Sequence, residues 1–452
     1  MTVTATREQI LAKRDLALDL VRVACLLLVV AAHVCFVALR TTSEGAMENW
    51  TPPQQYAFFA VGTWFVQPMP LFFLVGGCVS LLAWRSARRR GEGPYEFFRT
   101  RLVRFTYPAF AFLGILAVII LVALLLGVPK GLADAAAYGA GTPLWFMGAY
   151  LLCQAILPAM AVAHERRPLL TPALLLLAAL VVDVVRGSVG IDAIGLINYL
   201  FVWPFAQQLG FLLADGWFDP GSATTRRPFA VHIWQLILLA AFSFLAVGVV
   251  ATTFPFGPDM LQNQIPPSAG LAFIGLAHVA VFRFVKPVLT HLMEQRWAQG
   301  VAYLIGSRAM TIYLWHAVFV IGIAALFYFG SAFLPQAPSV GWWLLRLPVF
   351  LVVLGLVLLI SSPLARLERG PRPAALPMIN STTMRLRVVA AGVLAVVPAF
   401  ATTIPTGDGH LRGLDADLVL LGAALLVLSI LLVRVGRRGG PAPDSRGDSG
   451  AM

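Results

Sequence analysis

The stretch that decides the fold is residues 16–33, LALDLVRVACLLLVVAAH, which opens an apolar run reaching Leu39. A run of roughly 20 apolar residues, rising 1.5 Å per residue, crosses the hydrocarbon core of a bilayer, which is about 30 Å thick. This run is too long for the apolar core of a signal peptide, and it contains Asp19 and Arg22. We therefore expect it to remain in the protein as a membrane helix.

Similar runs recur along the whole chain. Of its 452 residues, 59% are hydrophobic and only 12% are charged, and the mean hydropathy is +0.83. These values exclude an ordinary soluble domain and a disordered chain. The sequence predicts an all-α, polytopic transmembrane helix bundle with twelve spans, near 17–39, 57–84, 105–127, 143–163, 168–186, 194–214, 229–250, 268–289, 309–333, 341–362, 386–404 and 414–434.

The basic residues fix the expected orientation of these spans. With the N-terminus in the cytoplasm, 27 of the 33 Lys and Arg residues fall in cytoplasmic segments and five on the opposite side, Arg22 being the remaining one. Basic loops resist translocation, so this bias predicts a multi-pass protein of the plasma or inner membrane with both termini cytoplasmic. The net charge of +12 then follows from topology and from contact with the lipid bilayer, so that no nucleic-acid partner is needed.

The chain divides at a segment rich in proline and arginine. We predict a cytoplasmic N-terminal segment, a ten-helix domain, a cytoplasmic linker, an extra helix pair and a disordered cytoplasmic tail, over residues 1–15, 16–362, 363–387, 388–435 and 436–452. No internal repeat of the kind found in transporters is visible.

One stripe of the first helix carries ionisable groups. Arg22 and His33 are 11 residues apart, which places them on one face about 16 Å apart along the axis, and Asp19 lies one turn before Arg22. Ionisable groups inside a membrane are costly and usually face a cavity or a partner. Asp19 and Arg22 could instead snorkel at the membrane edge, and His33 could make an ordinary hydrogen bond between helices.

The second predicted span, 57–84, has Pro68 and Pro70 in its middle. Prolines free backbone carbonyls that must find other partners. This pattern is consistent with a broken helix that lines a polar cavity, or with a kinked helix that has no function.

The most basic segment of the chain follows this span. Arg101 and Arg104, at the entrance of the third helix, are three residues apart and can point to one side of a helix. Two such guanidinium groups can fork around a phosphate or carboxylate, which predicts an anion site at the cytoplasmic mouth. The alternative is an ordinary basic cytoplasmic loop.

Three further spans carry aromatic or ionisable candidates. Trp145 fits an interfacial aromatic better than a pocket wall. Tyr313 and His316 lie in the ninth span, where His316 has about the depth of His33, and Asp183 is a lone acid for which we expect a basic partner. The chain has no P-loop, GxSxG, HExxH or Cys/His metal spacing, so ATP-driven transport, serine-elbow hydrolysis and a metal site are not indicated.

Taken together, these motifs resemble the acyltransferase 3 family of membrane O-acyltransferases. The matching segments are LALDLVRVACLLLVVAAH at 16–33, PLFFLVGG at 70–77, FFRTRLVRFTYPAF at 97–110, PLWF at 143–146 and TIYLWHAVF at 311–319. The resemblance covers roughly residues 14–362. Two features depart from it: Val23 stands where the family commonly has glycine, and the last two spans lie beyond the usual ten helices.

The resemblance implies transfer of an acyl group, most often acetyl, from cytoplasmic acyl-CoA to a hydroxyl of a cell-surface glycan, lipid-linked sugar or metabolite. No bound cofactor is implied, because acyl-CoA is a co-substrate. Some family members carry a fused extracytoplasmic domain that completes the transfer; without one, this protein acts alone or passes the acyl group to a separate extracytoplasmic protein.

The resemblance also suggests roles for the candidate residues. His33 would be the general base or a transient acyl carrier, and Asp19 the second catalytic candidate, acting with Arg22 on the donor. The substrate-binding candidates are Arg22, Arg101, Arg104, Trp145, Tyr313 and His316. The alternative function is a multi-pass transporter or flippase that uses the same ionisable stripe as a proton or substrate path.

Overall fold

The structure is a computed structural model that describes residues 15–41, 43, 47–219, 231–254, 256–371, 379, 381–401 and 415–434. The predicted N-terminal segment and C-terminal tail lie almost entirely outside these ranges, as do residues 372–378 and 380 of the predicted linker. The described residues form an all-α helix bundle with one two-stranded hairpin, so the predicted fold class is confirmed.

Twelve helical segments of the described residues are long and apolar enough to cross a membrane, one of them made of a 3₁₀ helix and an α-helix together, and the protein is a multi-pass membrane protein. The elements, in chain order, are α1 Leu16–Phe36, β1 Ala38–Thr41, β2 Met47–Trp50, α2 Phe59–Gly62, α3 Pro68–Arg89, α4 Pro94–Leu125, α5 Lys130–Gly141, α6 Leu144–Arg166, α7 Leu170–Val189, α8 Val202–Ala214, α9 Ile233–Thr253, α10 Ala269–Leu292, α11 Arg296–Gly306, α12 Ala309–Phe329, α13 Val340–Leu344, α14 Arg346–Leu367, α15 Thr382–Ala401 and α16 Ala416–Arg434. A 3₁₀ helix, Asp192–Leu200, leads into α8, and another, Pro52–Gln55, precedes α2.

The second span begins later than the sequence predicts. Pro68 occupies the first turn of α3, so the two prolines start the helix and do not break it in the middle. A proline is tolerated there because the first N–H groups of a helix have no intrahelical acceptor. The residues between Trp50 and Pro68 form only short helical turns, so the predicted broken helix over 57–84 is wrong.

The third span begins earlier than predicted. Helix α4 starts at Pro94 and not near 105, so Arg101 and Arg104 lie inside the helix, in its second and third turns. The connection from α3 is therefore only about four residues long, from Arg90 to Gly93. Because the backbone groups of α4 are satisfied within the helix, these arginines are held at fixed angles around it and are not on a mobile loop.

Contacts between helix ends define two faces of the bundle. Asp15, at the start of α1, pairs with Lys286 near the end of α10, with an Nζ–Oδ2 distance of 2.6 Å. At the other end of α1, the Val34 carbonyl accepts a hydrogen bond from Arg346, the first residue of α14. We call the face at which α1 begins the near face and the face at which it ends the far face.

The closest helix contact in the core joins α3 to α8. A Cβ added to Gly77 would lie 2.3 Å from the Gln207 carbonyl oxygen, and one added to Gly210 would lie 2.0 Å from the Leu74 oxygen. Small residues let two membrane helices approach until their backbones touch. This contact holds Phe73 of α3 and Trp203 of α8 in a stack, with ring centroids 4.7 Å apart.

The last two helices pack on the bundle through α4 and α6. Gly148 of α6 lies against Ala399 of α15, and Gly422 of α16 lies against Leu113 of α4. The Ser429 hydroxyl donates to the Ala391 carbonyl across the pair at 2.7 Å. The domain boundary predicted at 363–387 stays a prediction.

Candidate active site

His33 lies in the last turn of α1, close to the far face. Its Nδ1 is 2.8 Å from the Val29 carbonyl oxygen, one turn earlier in the same helix. A carbonyl can only accept, so Nδ1 carries a proton and a neutral His33 presents its lone pair at Nε2. The His33 side chain is part-buried, so the protein does not enclose it completely.

His316 of α12 faces His33. Their ring centroids are 4.8 Å apart and their planes meet at 82°. His316 repeats the arrangement of His33: its Nδ1 is 3.1 Å from the Ile312 carbonyl oxygen, and its Nε2 is buried without a hydrogen-bond partner among the described residues. The sequence indicated that the two histidines have about the same depth, and the structure brings them into contact. We call His33 and His316 the histidine pair.

Tyr313 lies one turn before His316, and its ring centroid is 6.0 Å from the His316 ring. Its hydroxyl donates to the carbonyl of Pro143, the residue before α6. This bond ties the far end of α6 to α12. Because the hydroxyl is already engaged, the side of Tyr313 that remains for contacts is its ring.

Trp145 is buried, with 4% of its surface exposed, which makes an interfacial aromatic the wrong assignment. Its ring packs on Trp203 and Tyr199, at centroid distances of 5.6 and 6.4 Å. Trp145 does not contact the histidine pair directly. It is joined to it through Phe146, whose ring is 5.0 Å from that of Tyr313.

Rings also lead from Phe146 towards the near face. Tyr150, one turn further along α6, is 6.2 Å from Phe146 by ring centroids, and its ring is 4.8 Å from that of Phe105, which lies one turn after Arg101 on α4. Tyr150, Phe146, Tyr313, His316 and His33 thus form a continuous series, which we call the aromatic row. The row starts beside a predicted anion-binding arginine and ends at the predicted catalytic histidine.

Arg101 and Arg104 point in different directions from α4. The Arg101 guanidinium is half-buried and stacks on Phe97, with Cζ 3.4 Å from the ring centroid, whereas Arg104 is exposed. The spacing of three residues places both on neighbouring positions of the helix, but the stacking turns Arg101 towards the protein.

Arg22 and Asp19 form an ion pair near the start of α1, with Nη1 and Oδ1 3.8 Å apart and both side chains part-exposed. They share the stripe with His33, but Arg22 is about 16 Å and Asp19 about 21 Å from it along the helix axis. Asp19 and Arg22 can therefore act at the near face only, not on a proton held by His33.

One known family matches most of the chain. The acyltransferase-domain model of acyltransferase 3 matches residues 15–366. The chain belongs to the acyltransferase 3 family. The match begins one residue before α1 and ends one residue before the end of α14, so α15 and α16 lie beyond the acyltransferase 3 domain. Neither the curated proteins nor the solved structures give a match.

Asp183 of this acyltransferase 3 domain lies within the electrostatic range of a basic group, Arg186, as the sequence led us to expect, but its hydrogen bonds come from other residues. One carboxylate oxygen accepts from the Asn198 amide at 2.8 Å, and the other accepts from the backbone N–H of Ala269 at 2.7 Å. Ala269 is the first residue of α10, so Asp183 satisfies a free N–H at a helix N-terminus, where the helix dipole favours a negative charge. The sequence could not name these partners, because they are 15 and 86 residues away.

A polar cluster at the near face was also missed. Arg85 donates to both oxygens of Asp215, at 2.5 and 3.0 Å, and His164 Nε2 is 3.4 Å from Asp215. Burial alone raises the pKa of the Asp215 carboxyl, but the neighbouring His164 and Arg85 outweigh it and hold that pKa well below its ordinary value. The cluster clamps the ends of α3, α6 and α8, which have no shared sequence motif.

Glu368, just past α14, accepts a hydrogen bond from Thr311 at 2.6 Å. Its other carboxylate oxygen, Oε1, is buried without a partner among the described residues. Burial raises the pKa of Glu368 above its ordinary value, and the bond from Thr311 only partly offsets this. No local pattern distinguishes Glu368, which lies in the segment predicted as a linker.

Proposed function

We propose that this membrane acyltransferase moves an acyl group, acetyl in the simplest case, from acyl-CoA to a hydroxyl of a cell-surface carbohydrate, lipid-linked sugar or metabolite. The observation that carries the proposal is the histidine pair at the end of the aromatic row. Two imidazoles whose Nδ1 atoms both donate to helix carbonyls leave two Nε2 lone pairs and no donor between them. A hydroxyl group supplies the missing donor.

The donor would bind at the near face, which we assign to the cytoplasm from the basic bias of the chain. Acyl-CoA is a multiply charged anion, and Arg101 and Arg104 supply cations beside the first residues of the aromatic row. The thioester sits at the end of the long pantetheine arm, so it can lie deeper than the phosphates. The rings of Tyr150, Phe146 and Tyr313 would line its path to His33.

The chemical step follows from the free lone pair on His33. Nε2 takes the proton of the acceptor hydroxyl while the hydroxyl oxygen attacks the thioester carbonyl carbon. The carbon–sulfur bond breaks, and the CoA thiolate takes the proton back from the imidazolium. General-base help of this kind is typically worth about 10²–10⁴ in rate.

His33 could also carry the acyl group on Nε2 before transfer, which requires the same free nitrogen. In that case the CoA thiolate leaves first and the acceptor hydroxyl attacks the acyl-imidazole. The second step could deliver the acyl group to a separate extracytoplasmic protein. Isolation of acyl-protein after rapid mixing with acyl-CoA, without acceptor, distinguishes the carrier from the base.

The test uses purified full-length protein with labelled acetyl-CoA, and follows both CoA release and label in host glycans and lipids. His33→Gln and His33→Ala should lower acyl transfer at least 100-fold with an unchanged melting temperature. His291→Ala is the matched control, because His291 is an exposed histidine at the near end of α10. Wild-type rates in the His33 variants would refute the catalytic assignment.

Two results separate this proposal from transport. A transporter or flippase would leave acyl-CoA intact, so CoA release that depends on His33 excludes it. Charge reversal at Arg101 or Arg104 should raise the KM for acyl-CoA more than the KM for acceptor. If only the acceptor KM changes, the near-face donor site is wrong.

A further inference from the structure

Arg346 is buried at the far face, beside the end of the helix that carries His33. Only 8% of its surface is exposed. Nε donates to the Trp342 carbonyl at 2.9 Å, and Nη1 donates to the Val34 carbonyl at 3.2 Å. Val34 directly follows His33, so Arg346 closes the last turn of α1.

Among the residues that the structure describes, the charge of Arg346 has no counter-ion. No carboxylate of the described residues lies within ion-pair distance of it, whereas Arg186, which is equally buried, pairs with Asp192 at 2.9 Å. Burying a guanidinium without a partner is costly, and arginine does not escape by losing its proton. Two backbone carbonyls and the α1 dipole compensate only part of this cost.

The third nitrogen of the Arg346 guanidinium, Nη2, is buried and also has no partner among the described residues. The guanidinium packs on two rings, with Cζ 3.8 Å from the Trp342 centroid and 4.9 Å from that of Phe327. This packing and the two hydrogen bonds restrict the orientation of the group, which leaves the buried Nη2 free to donate to a ligand.

We propose that Arg346 forms an anion site at the far face, which binds a phosphate or carboxylate group of the hydroxyl acceptor and holds that acceptor on the far side of the histidine pair. This inference rests on the proposed function for the identity of the ligand. An anionic oxygen would supply both a counter-ion for the guanidinium and a hydrogen-bond acceptor for Nη2. The acceptor class is thereby an acidic sugar or a sugar phosphate.

The position of Arg346 argues for the acceptor and against the donor. Arg101 and Arg104 lie at the near end of the bundle, whereas Arg346 lies where α1 ends and the β1–β2 hairpin begins. Phe327, which packs on the guanidinium, is three turns beyond His316 on α12. Along the bundle, the histidine pair therefore lies between Arg101 and Arg104 on the near side and Arg346 on the far side.

The experiment measures binding without acyl-CoA, so it does not depend on acyl transfer. Purified full-length protein in an uncharged detergent is titrated with glucose 1-phosphate, glucuronate or neutral glucose, and the melting temperature is recorded. Arg346→Gln removes the charge, and Arg346→Lys keeps the charge but loses the fork. Arg40→Gln is the matched control, because Arg40 is an exposed far-face arginine paired with Glu48.

The wild type should show saturable stabilisation by at least one anionic probe and none by glucose. Arg346→Gln should raise the apparent Kd at least tenfold, Arg346→Lys should give an intermediate value, and Arg40→Gln should stay within twofold of wild type. If Arg346→Gln does not fold, Arg346→Lys and the comparison of charged with neutral probes in the wild type still decide the matter.

Several results overturn the proposal. These are equal binding by wild type and Arg346→Gln, equal stabilisation by charged and neutral sugars, or no response of the wild type to either anion. An Arg101→Gln/Arg104→Gln protein tests the near-face arginines, and loss of binding there alone would move the site to the near face. Nanodiscs with and without phosphatidylglycerol test for a lipid headgroup: stabilisation by this lipid that needs Arg346 and blocks the sugar probe refutes an acceptor site.

Discussion

Gly210→Ala should destabilise the protein strongly, because the new methyl group has no room. Its Cβ would lie 2.0 Å from the Leu74 oxygen and 2.6 Å from the Cys78 nitrogen, whereas ordinary contacts are 3.4–4 Å. Both obstacles belong to the backbone of α3, so no rotamer change relieves the overlap. Helices α3 and α8 must move apart by more than about 1 Å, which breaks the packing along their whole contact.

Overpacking a core costs about 1–3 kcal/mol, and occasionally more. Since the clash at Gly210 is with backbone, we expect the upper end, about 3 kcal/mol of unfolding free energy. The α3–α8 contact also holds Phe73 against Trp203, beside the aromatic row, so acyl transfer should fall as well.

The assay is reversible unfolding in mixed micelles by titration with sodium dodecyl sulfate. Gly355→Ala is the matched control: Gly355 lies inside α14, and a Cβ there meets nothing within 4 Å. It should leave stability unchanged or raise it by up to about 1 kcal/mol, because alanine favours the helix. If the two variants unfold at the same detergent fraction, the close approach of α3 and α8 is wrong.

Three further predictions concern single polar groups. Tyr313→Phe keeps the ring but loses the bond to Pro143, which should cost about 1 kcal/mol in the same titration and leave transfer within tenfold of wild type; a complete loss of transfer would give the hydroxyl a chemical role. Asp183→Asn turns one acceptor into a donor that faces the Ala269 N–H or the Asn198 amide, and should lower stability by about 2 kcal/mol; an unchanged midpoint would contradict this network. Glu368 has a raised pKa, so the stability it contributes is present below the ordinary glutamate pKa and is lost as pH rises through the raised value; Glu368→Gln should lack that slope in melting temperatures measured from pH 4 to 8, and parallel curves would exclude the effect.

The sequence determined the class of the fold, and for a clear physical reason. In a bilayer each span must satisfy its own backbone hydrogen bonds, so an apolar run of sufficient length becomes a helix whatever surrounds it. All twelve predicted spans correspond to described helices or, for the sixth, to a 3₁₀ helix that leads into one. The same local rule placed His33 and His316 at similar depths.

Helix ends were less predictable. Hydropathy placed the start of the third span near 105, but α4 begins at Pro94 because its first turns remain helical outside the apolar run. The prolines at 68 and 70 predicted a break inside the second span, but they lie in the first turn of a helix, where proline is tolerated. Both differences concern polar or proline-rich turns outside the apolar runs. There water can satisfy backbone groups, so the membrane does not require a helix.

The candidate site was decided by the tertiary structure. Arg346 counted in the sequence only as one of five basic residues on the far side. Nothing local shows that it is buried against the carbonyl of Val34, 312 residues away, with no carboxylate of the described residues within ion-pair distance. Likewise the aromatic row joins α1, α6 and α12, and no spacing along the chain relates them. Hydrophobic composition and periodicity predict helices because they act on the local backbone. The contact partners of a side chain, and whether a buried charge has a counter-ion, depend on which helices face each other, and this is decided only when the whole bundle packs.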